Sequence, residues 1–523
     1  MNINLTLADA IIFGVYILSI LMLGFYASRK GKQTKRDYFL AGDKLPWWMI
    51  GGSIIASNIS SHHLVGAMGA AYNRGFVVIA MEWGAILIGF NALLWIFLPF
   101  YIRNGFYTIP EFLHKRFGTA ARSTYSVLIL MTYVFVEISA VLYLGALSLH
   151  ALLDIPVLVS IVLLAFLTGL YTIMGGLRAV IWTEMLQLVV LVAGGIILTV
   201  ATLNATGGVK AVFETTKDWK LIMPANDPDF PWTMYLGGLL CISVFYCATN
   251  QFIVQRVLAA KNEWHARMGV IFGDYLKFLI PLIITIPALV APKLIPHLDN
   301  PDLLFPMLVA KLLPSGLVGL VMAGLISAVM SHLSGAINSC TTILTVDVYL
   351  PHFGKNATDQ EAVRFGRIAG AVIVVLGVLC TGLLMNYSDK PVFIYLMNAY
   401  GLFTPGIATM FLMGILWKRT TQQGALTAGI LTIPLSILIE FMVPEMPFFN
   451  RTGIVFWTCM LLCLVVSVLT KPKPEAELAG LIWNKESLRL LPQERDQQAG
   501  LRNPFIWWAI ITVVVLFFYI RFA

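Results

Sequence analysis

Between Ile54 and Val65, in the middle of an apolar stretch, the chain places Ser57, Asn58, Ser60, Ser61, His62 and His63. Lipid hydrocarbon holds no water to bond such groups, and each one left unsatisfied there costs several kcal/mol. A run of this kind persists only where it faces protein or a wet cavity, and polar residues at membrane depth point to a binding site. Two charged features accompany it. Glu82 lies in Ala80-Met81-Glu82-Trp83-Gly84, deep in the next apolar stretch. A carboxylate at that depth costs about 2.5 kcal/mol or more to insert, so it requires a donor-rich partner. Asp274 and Lys277 stand three residues apart, hence on one helical face.

Carboxylate, ammonium, imidazole and the Asn58 amide together suit a neutral polyhydroxylated ligand, because every hydroxyl both donates and accepts. Such a site rejects analogues that lack the hydroxyls, since its own buried polar groups are then left unpaired. Each residue also has a plainer reading. Glu82 packs within a bundle, Asp274 and Lys277 neutralise one another, and His63 is a satisfied core histidine, with His62 pointing elsewhere. The aromatics Tyr246, Phe393 and Tyr395 either stack on a ring and close it off or simply pack.

The elements that position these residues are membrane helices. Of 523 residues, 59% are hydrophobic and 12% charged, against roughly 25% charged in a soluble domain. Apolar stretches of about 20 residues recur along the chain. They predict an all-α membrane protein with about fourteen transmembrane helices. Arg29, Lys30, Lys32, Lys35 and Arg36 crowd the first connection, and alternate connections stay basic through Arg103, Lys115, Arg178, Arg256 and Lys418 to 471–502. By the positive-inside rule that side is cytoplasmic and both termini lie outside, in a multi-pass plasma-membrane protein. The net charge of +8 is then a consequence of topology, and no nucleic acid is required as a partner. Besides solute, the lipid bilayer is the expected partner, and no oligomer is required. The six cysteines show no metal-ligand spacing and read as packing residues.

A second polar run interrupts the stretch 243–251, Ser-Val-Phe-Tyr-Cys-Ala-Thr-Asn-Gln. Interrupted helices at matching positions of two halves point to an inverted repeat with a midplane site. The expected division is 1–45, an extra helix and loop; 46–204, a first five-helix repeat; 205–231, an external loop; 232–416, a second, inverted five-helix repeat; and 417–523, further helices. Five is odd, so the two repeats face opposite ways, which is the geometry of alternating access.

Specific motifs extend this reading. They include Asp37-Tyr38-Phe39-Leu40-Ala41-Gly42 with Leu45-Pro46-Trp47-Trp48, Ala56-Ser57-Asn58-Ile59-Ser60, and Tyr107-Thr108-Ile109-Pro110-Glu111-Phe112. Others are Gly175-Gly176-Leu177-Arg178-Ala179-Val180 with Trp182-Thr183-Glu184, Gln251 through Lys261, and Asn338 through Asp347. Through them almost the whole chain resembles the sodium/solute symporters, in particular the sodium/glucose and sodium/galactose branch. The resemblance implies the five-plus-five inverted-repeat fold with a broken first helix in each repeat, a central sugar and a nearby sodium.

Position by position, the resemblance puts sugar binding on Asn58, Ser60, His63, Glu82, Tyr246 and Lys277, with Tyr246 closing the site from inside and Phe393 as an outer gate. A glutamine that the family uses for sugar falls on Met397, with Asn398 beside it as the substitute, and a serine falls on Ala85. The implied sodium ligands are Ala56, Ile59, Ala328 and Ser331, but the second hydroxyl position of that site is His332. Glu184 stands where the family has an acidic residue near the sodium exit. Imidazole replaces oxygen poorly around a hard cation and titrates near neutral pH. Sodium coupling, proton coupling through His332 and uncoupled passage therefore all stay open. The expected function is uptake of a sugar, a monosaccharide, by alternating access and coupled to an inward sodium gradient. The rival class is a sugar sensor that moves nothing. An enzyme has the least support, since no nucleophile–base pair, metal motif or phosphate loop is present.

Overall fold

The computed structural model describes residues 6–29, 34–216, 219–387 and 392–523, with side chains for all of these except 384–397. The described residues form helices, joined by short turns and two isolated backbone bridges. The long helices are numbered here in chain order: α1 Leu7–Arg29, α2 Trp47–Asn58, α3 His62–Arg103, α4 Thr119–Leu153, α5 Val157–Thr206, α6 Gly238–Leu258, α7 Glu263–Lys293, α8 Leu317–His352, α9 Asp359–Tyr387, α10 Val392–Leu416, α11 Gln422–Met442, α12 Phe448–Leu469 and α13 Pro504–Arg521.

Among the described residues twelve helices are long and apolar enough to cross a membrane, where about fourteen spans are expected. Two of the twelve are compound. α5 has 50 residues, and a straight helix of that length would run about 75 Å, more than twice a hydrocarbon core of about 30 Å. Gly176, at φ 57° and ψ −156°, breaks it into two helices. α3 is likewise bent at Gly75, with φ 75° and ψ −147°. α2 is a half-helix of 12 residues that α3 continues beyond a break.

A Cβ at position 176 would lie 2.3 Å from the Tyr38 carbonyl oxygen, in a backbone region that costs a non-glycine residue about 1–3 kcal/mol. Gly176→Ala is therefore expected to lower the melting temperature of the detergent-solubilised protein by several degrees or to prevent its accumulation, as read by fluorescence-detected size exclusion.

Burial follows the membrane. α8 is buried nearly throughout between Val318 and Ile343. By contrast α1 turns Ile11, Val15, Leu18 and Met22 outward, a stripe at three- and four-residue spacing that suits contact with lipid. The loop 219–231 is tied down at the end of the first segment of α3, just before the Gly75 bend, where Arg74 bonds both oxygens of Asp227 at 2.6 Å. Burial opposes the Asp227 carboxylate, but the Phe230 and Asp229 amides and the Arg74 guanidinium together hold it below the usual carboxylate range.

Both expected breaks are present, and they match. Between α2 and α3 the chain is extended at Ile59 (φ −83°, ψ 114°); within α6 it is extended at Asn250 (φ −87°, ψ 121°). In each case a local side chain restarts the helix. Ser60 Oγ accepts from the His62 amide at 3.2 Å, and Asn250 Oδ1 accepts from the Phe252 amide at 3.0 Å, as N-capping residues do. A break also frees carbonyls of the preceding turn, which must find donors elsewhere. At the second break Tyr101 donates to Ala248 O at 3.0 Å and Tyr125 to Thr249 O at 2.7 Å. At the first, α8 supplies the donors: Ser331 Oγ to Ala56 O at 2.7 Å and His332 Nδ1 to Ser57 O at 2.8 Å.

Candidate functional site

The residue types that break α2 from α3 also open a cavity beside the break. Its empty volume is about 740 Å³ with its open mouth and adjoining solvent included. Asn58, Ser60, His63, Glu82, Tyr246 and Lys277 all line it, so six of the eight residues singled out for solute come together. Lys277, on α7, donates to Asn58 Oδ1 at 2.7 Å and to Glu82 Oε2. His63 Nε2 stands 3.3 Å from Glu82 Oε1, and its Nδ1 accepts the Ser60 amide at 3.3 Å. The Glu82 carboxylate thus has a cation and an imidazole as partners while its side chain stays 17% exposed to the cavity.

The plainer reading of Asp274 and Lys277 is not what forms. Lys277 turns to Glu82 and Asn58, and no ion pair joins it to Asp274 among the described residues. His62, expected to point elsewhere, also lines the cavity, edge-on to His63 at 5.0 Å between ring centroids. Asn398 is set apart. It lines a separate, smaller cavity with Ser436, Glu440 and Arg451, and accepts from Arg451 Nη2 at 3.2 Å. Phe393, Tyr395 and Met397 lie outside the described side chains.

Two cavity residues with hydrogen-bonding side chains escaped the sequence reading, Glu137 on α4 and Tyr400 on α10. Glu137 Oε2 pairs with His332 Nε2 at 2.7 Å, and Tyr400 donates to Glu137 Oε1 at 2.7 Å. Glu137 stands in Val134-Phe135-Val136-Glu137-Ile138, the same signal of a lone carboxylate in an apolar run that marks Glu82.

Two of the three carbonyls named for a cation lie beside Ser331, whose hydroxyl is 2.7 Å from Ala56 O and 3.3 Å from Ala328 O. Oxygen-only surroundings suit a hard cation. His332, the next residue, adds no ligand to this group. Its two nitrogens face Ser57 O and Glu137, so the imidazole is turned away from Ser331 into the solute cavity. Glu184 is fully buried beneath the same break, bonded by Arg256 Nη2 at 2.6 Å and by the hydroxyls of Ser53 and Ser57.

A polar chamber held between interrupted helices, inside an all-helical multi-pass membrane protein, is the architecture of a solute carrier. The chain belongs to the sodium:solute symporter family, whose model matches residues 38–432. It is 33% identical to the sodium/glucose cotransporter of Vibrio parahaemolyticus over 86% of this chain and 88% of that protein. It is also 33% identical to the sodium/myo-inositol cotransporter of Bos taurus, over 92% and 76% of the two chains. Among solved structures, a Na+-coupled sialic acid symporter in a substrate-bound outward-open state has the same fold, with a TM-score of 0.79 at 22% identity over 89% of this chain and 99% of that one. A nucleobase-cation-symport-1 family transporter gives a TM-score of 0.57 at 15% identity, over 85% and 97%. Sodium-coupled solute symport is the activity of this family, and the chain is a transporter, not an enzyme.

Proposed function

We propose that this protein takes up a neutral polyhydroxylated solute, a monosaccharide or a cyclitol of similar size, together with sodium and by alternating access across the plasma membrane. The observation that carries the reading is the Lys277–Glu82–Asn58 network on the cavity wall, with His63 beside it. It offers donors and acceptors in close succession, as a hydroxylated ring requires. The cotransporters of glucose and of myo-inositol among its relatives accord with that class.

Sodium binds to the carbonyls of Ala56, Ile59 and Ala328 and to Ser331 Oγ, joining the first break to α8. Each repeat, 46–204 and 232–416, opens on its broken helix, and Tyr246 and Phe393 close the solute from the two sides. Sodium favours the outward-open state only through its higher affinity for that state. One observation favours a second reading, in which a proton replaces sodium: the imidazole of His332 is bonded to a buried carboxylate, Glu137.

Proteoliposome uptake of labelled glucose and myo-inositol tests both. Uptake that vanishes when choline replaces sodium, and survives collapse of the pH gradient, is the expected result. The reverse pattern would transfer the coupling to His332. No accumulation under either gradient would leave a sensor.

A further inference from the structure

Two hydrogen-bonded networks line the solute cavity, and the reading above uses one of them. We propose that Glu137 is a second solute-binding carboxylate, which with His332 and Tyr400 holds the edge of the solute ring turned away from Glu82 and Lys277. This rests on the proposal that the solute is a polyol.

Unused hydrogen-bonding capacity is the first argument. A carboxylate has about four lone-pair positions; Glu137 accepts one bond from Tyr400 at Oε1 and has a single contact, with His332 Nε2, at Oε2. Tyr400 donates its only proton to Glu137 and keeps acceptor capacity on its oxygen. This wall of the cavity therefore has acceptors left over. The first network has donors left over: two of the three protons on Lys277 Nζ are bonded, and the Asn58 amide nitrogen has no partner among the described residues. A ring with hydroxyls on both edges fits between a donor-rich and an acceptor-rich wall. A carboxylate needed only for packing would not be placed at a cavity, given what its insertion costs.

The placement of the two networks is the second argument. The first stands on α2, α3 and α7, which pack on one another. The second stands on α4, α8 and α10, where α8 and α10 both pack against the Glu137 segment of α4. No hydrogen bond joins Glu82 or Lys277 to Glu137 or Tyr400 among the described residues. A solute bound by both ties the two sets of helices together, so its full affinity exists only when both walls are close. That is the differential affinity a transported ligand must have to shift a conformational equilibrium. His332 also bonds Ser57 O, one residue from Asn58, so the two walls touch in the conformation described.

Proteoliposome uptake of labelled myo-inositol and glucose, in competition with their monodeoxy analogues, tests the assignment. For the parent solute Glu137→Gln is expected to raise KM roughly ten- to hundred-fold, the loss typical of a hydrogen bond to a charged group, with kcat changed little. One monodeoxy analogue, already weak on the unaltered protein, should compete equally well against both proteins, because it lacks the hydroxyl that Glu137 holds. An equal penalty for every analogue, or an unchanged KM, would overturn the assignment and leave Glu137 a purely structural partner of His332. If Glu137→Gln does not fold, Tyr400→Phe removes one contact from the same wall and must show the same selectivity among analogues. Failure of the unaltered protein to take up either parent solute would instead bring down the polyol reading itself.

Discussion

Uptake is expected to be lost in Glu82→Ala and in Lys277→Ala, by at least a hundred-fold in initial rate, with each variant still inserting in the membrane. Two effects act in the same direction. The solute loses a charged hydrogen-bonding group, worth about 1.5–3 kcal/mol. The partner left behind is a buried uncompensated charge, and breaking such a pair costs about 3–5 kcal/mol. At about 1.4 kcal/mol per factor of ten, the first term alone reaches ten- to a hundred-fold. The pair is close, with Lys277 also held by Asn58 at 2.7 Å, so the double variant should lose less than the two single losses combined. Labelled-solute uptake, normalised to surface-labelled protein, measures this. Near-normal uptake in both single variants would remove the network from the solute site.

The first network was legible because its signal is local. A polar residue inside an apolar run has to be satisfied somewhere, and Ser60, His63, Glu82 and Lys277 converge on one cavity for that reason. The breaks were legible for a related reason, since Ser60 and Asn250 are the residue types that restart a helix. Glu137 carried the same signal in a fourth stretch and was passed over, because no motif of the resembled family draws attention to it. Asn398 shows a different limit. Successive residues on a helix point about 100° apart, so an amide beside Met397 cannot occupy the place of one at 397, and Asn398 turns to Arg451. The pairing of Asp274 with Lys277 fails likewise: spacing permits it, but Glu82 and Asn58 reach the ammonium from other helices. Gly75 and Gly176 divide α3 and α5, so the two compound helices account for the difference between the twelve long helices among the described residues and the roughly fourteen expected spans.

His332 should respond to substitution in two separable ways. His332→Ser alone strips Glu137 of its partner at 2.7 Å, leaving a buried carboxylate bonded only by Tyr400, so the variant is expected to melt at lower temperature than the unaltered protein. With Glu137→Gln as background the stranded charge is gone, and the second effect becomes measurable. A hydroxyl at position 332, next to Ser331 and one helical turn from Ala328, adds an oxygen where the imidazole supplied none. One further ligand of about 1.4 kcal/mol gives a ten-fold change. His332→Ser with Glu137→Gln is thus expected to reach half-maximal uptake at a sodium concentration roughly ten-fold lower than Glu137→Gln alone. Both proteins lack the Glu137 carboxylate, and measuring each at saturating solute removes the effect of the solute contact that His332 itself supplies. An unchanged sodium half-saturation would mean that position 332 lies outside the ion's reach and that the oxygens around Ser331 do not form the coupling site. Loss of sodium dependence altogether, with uptake now insensitive to pH, would show instead that the imidazole had carried the coupling proton.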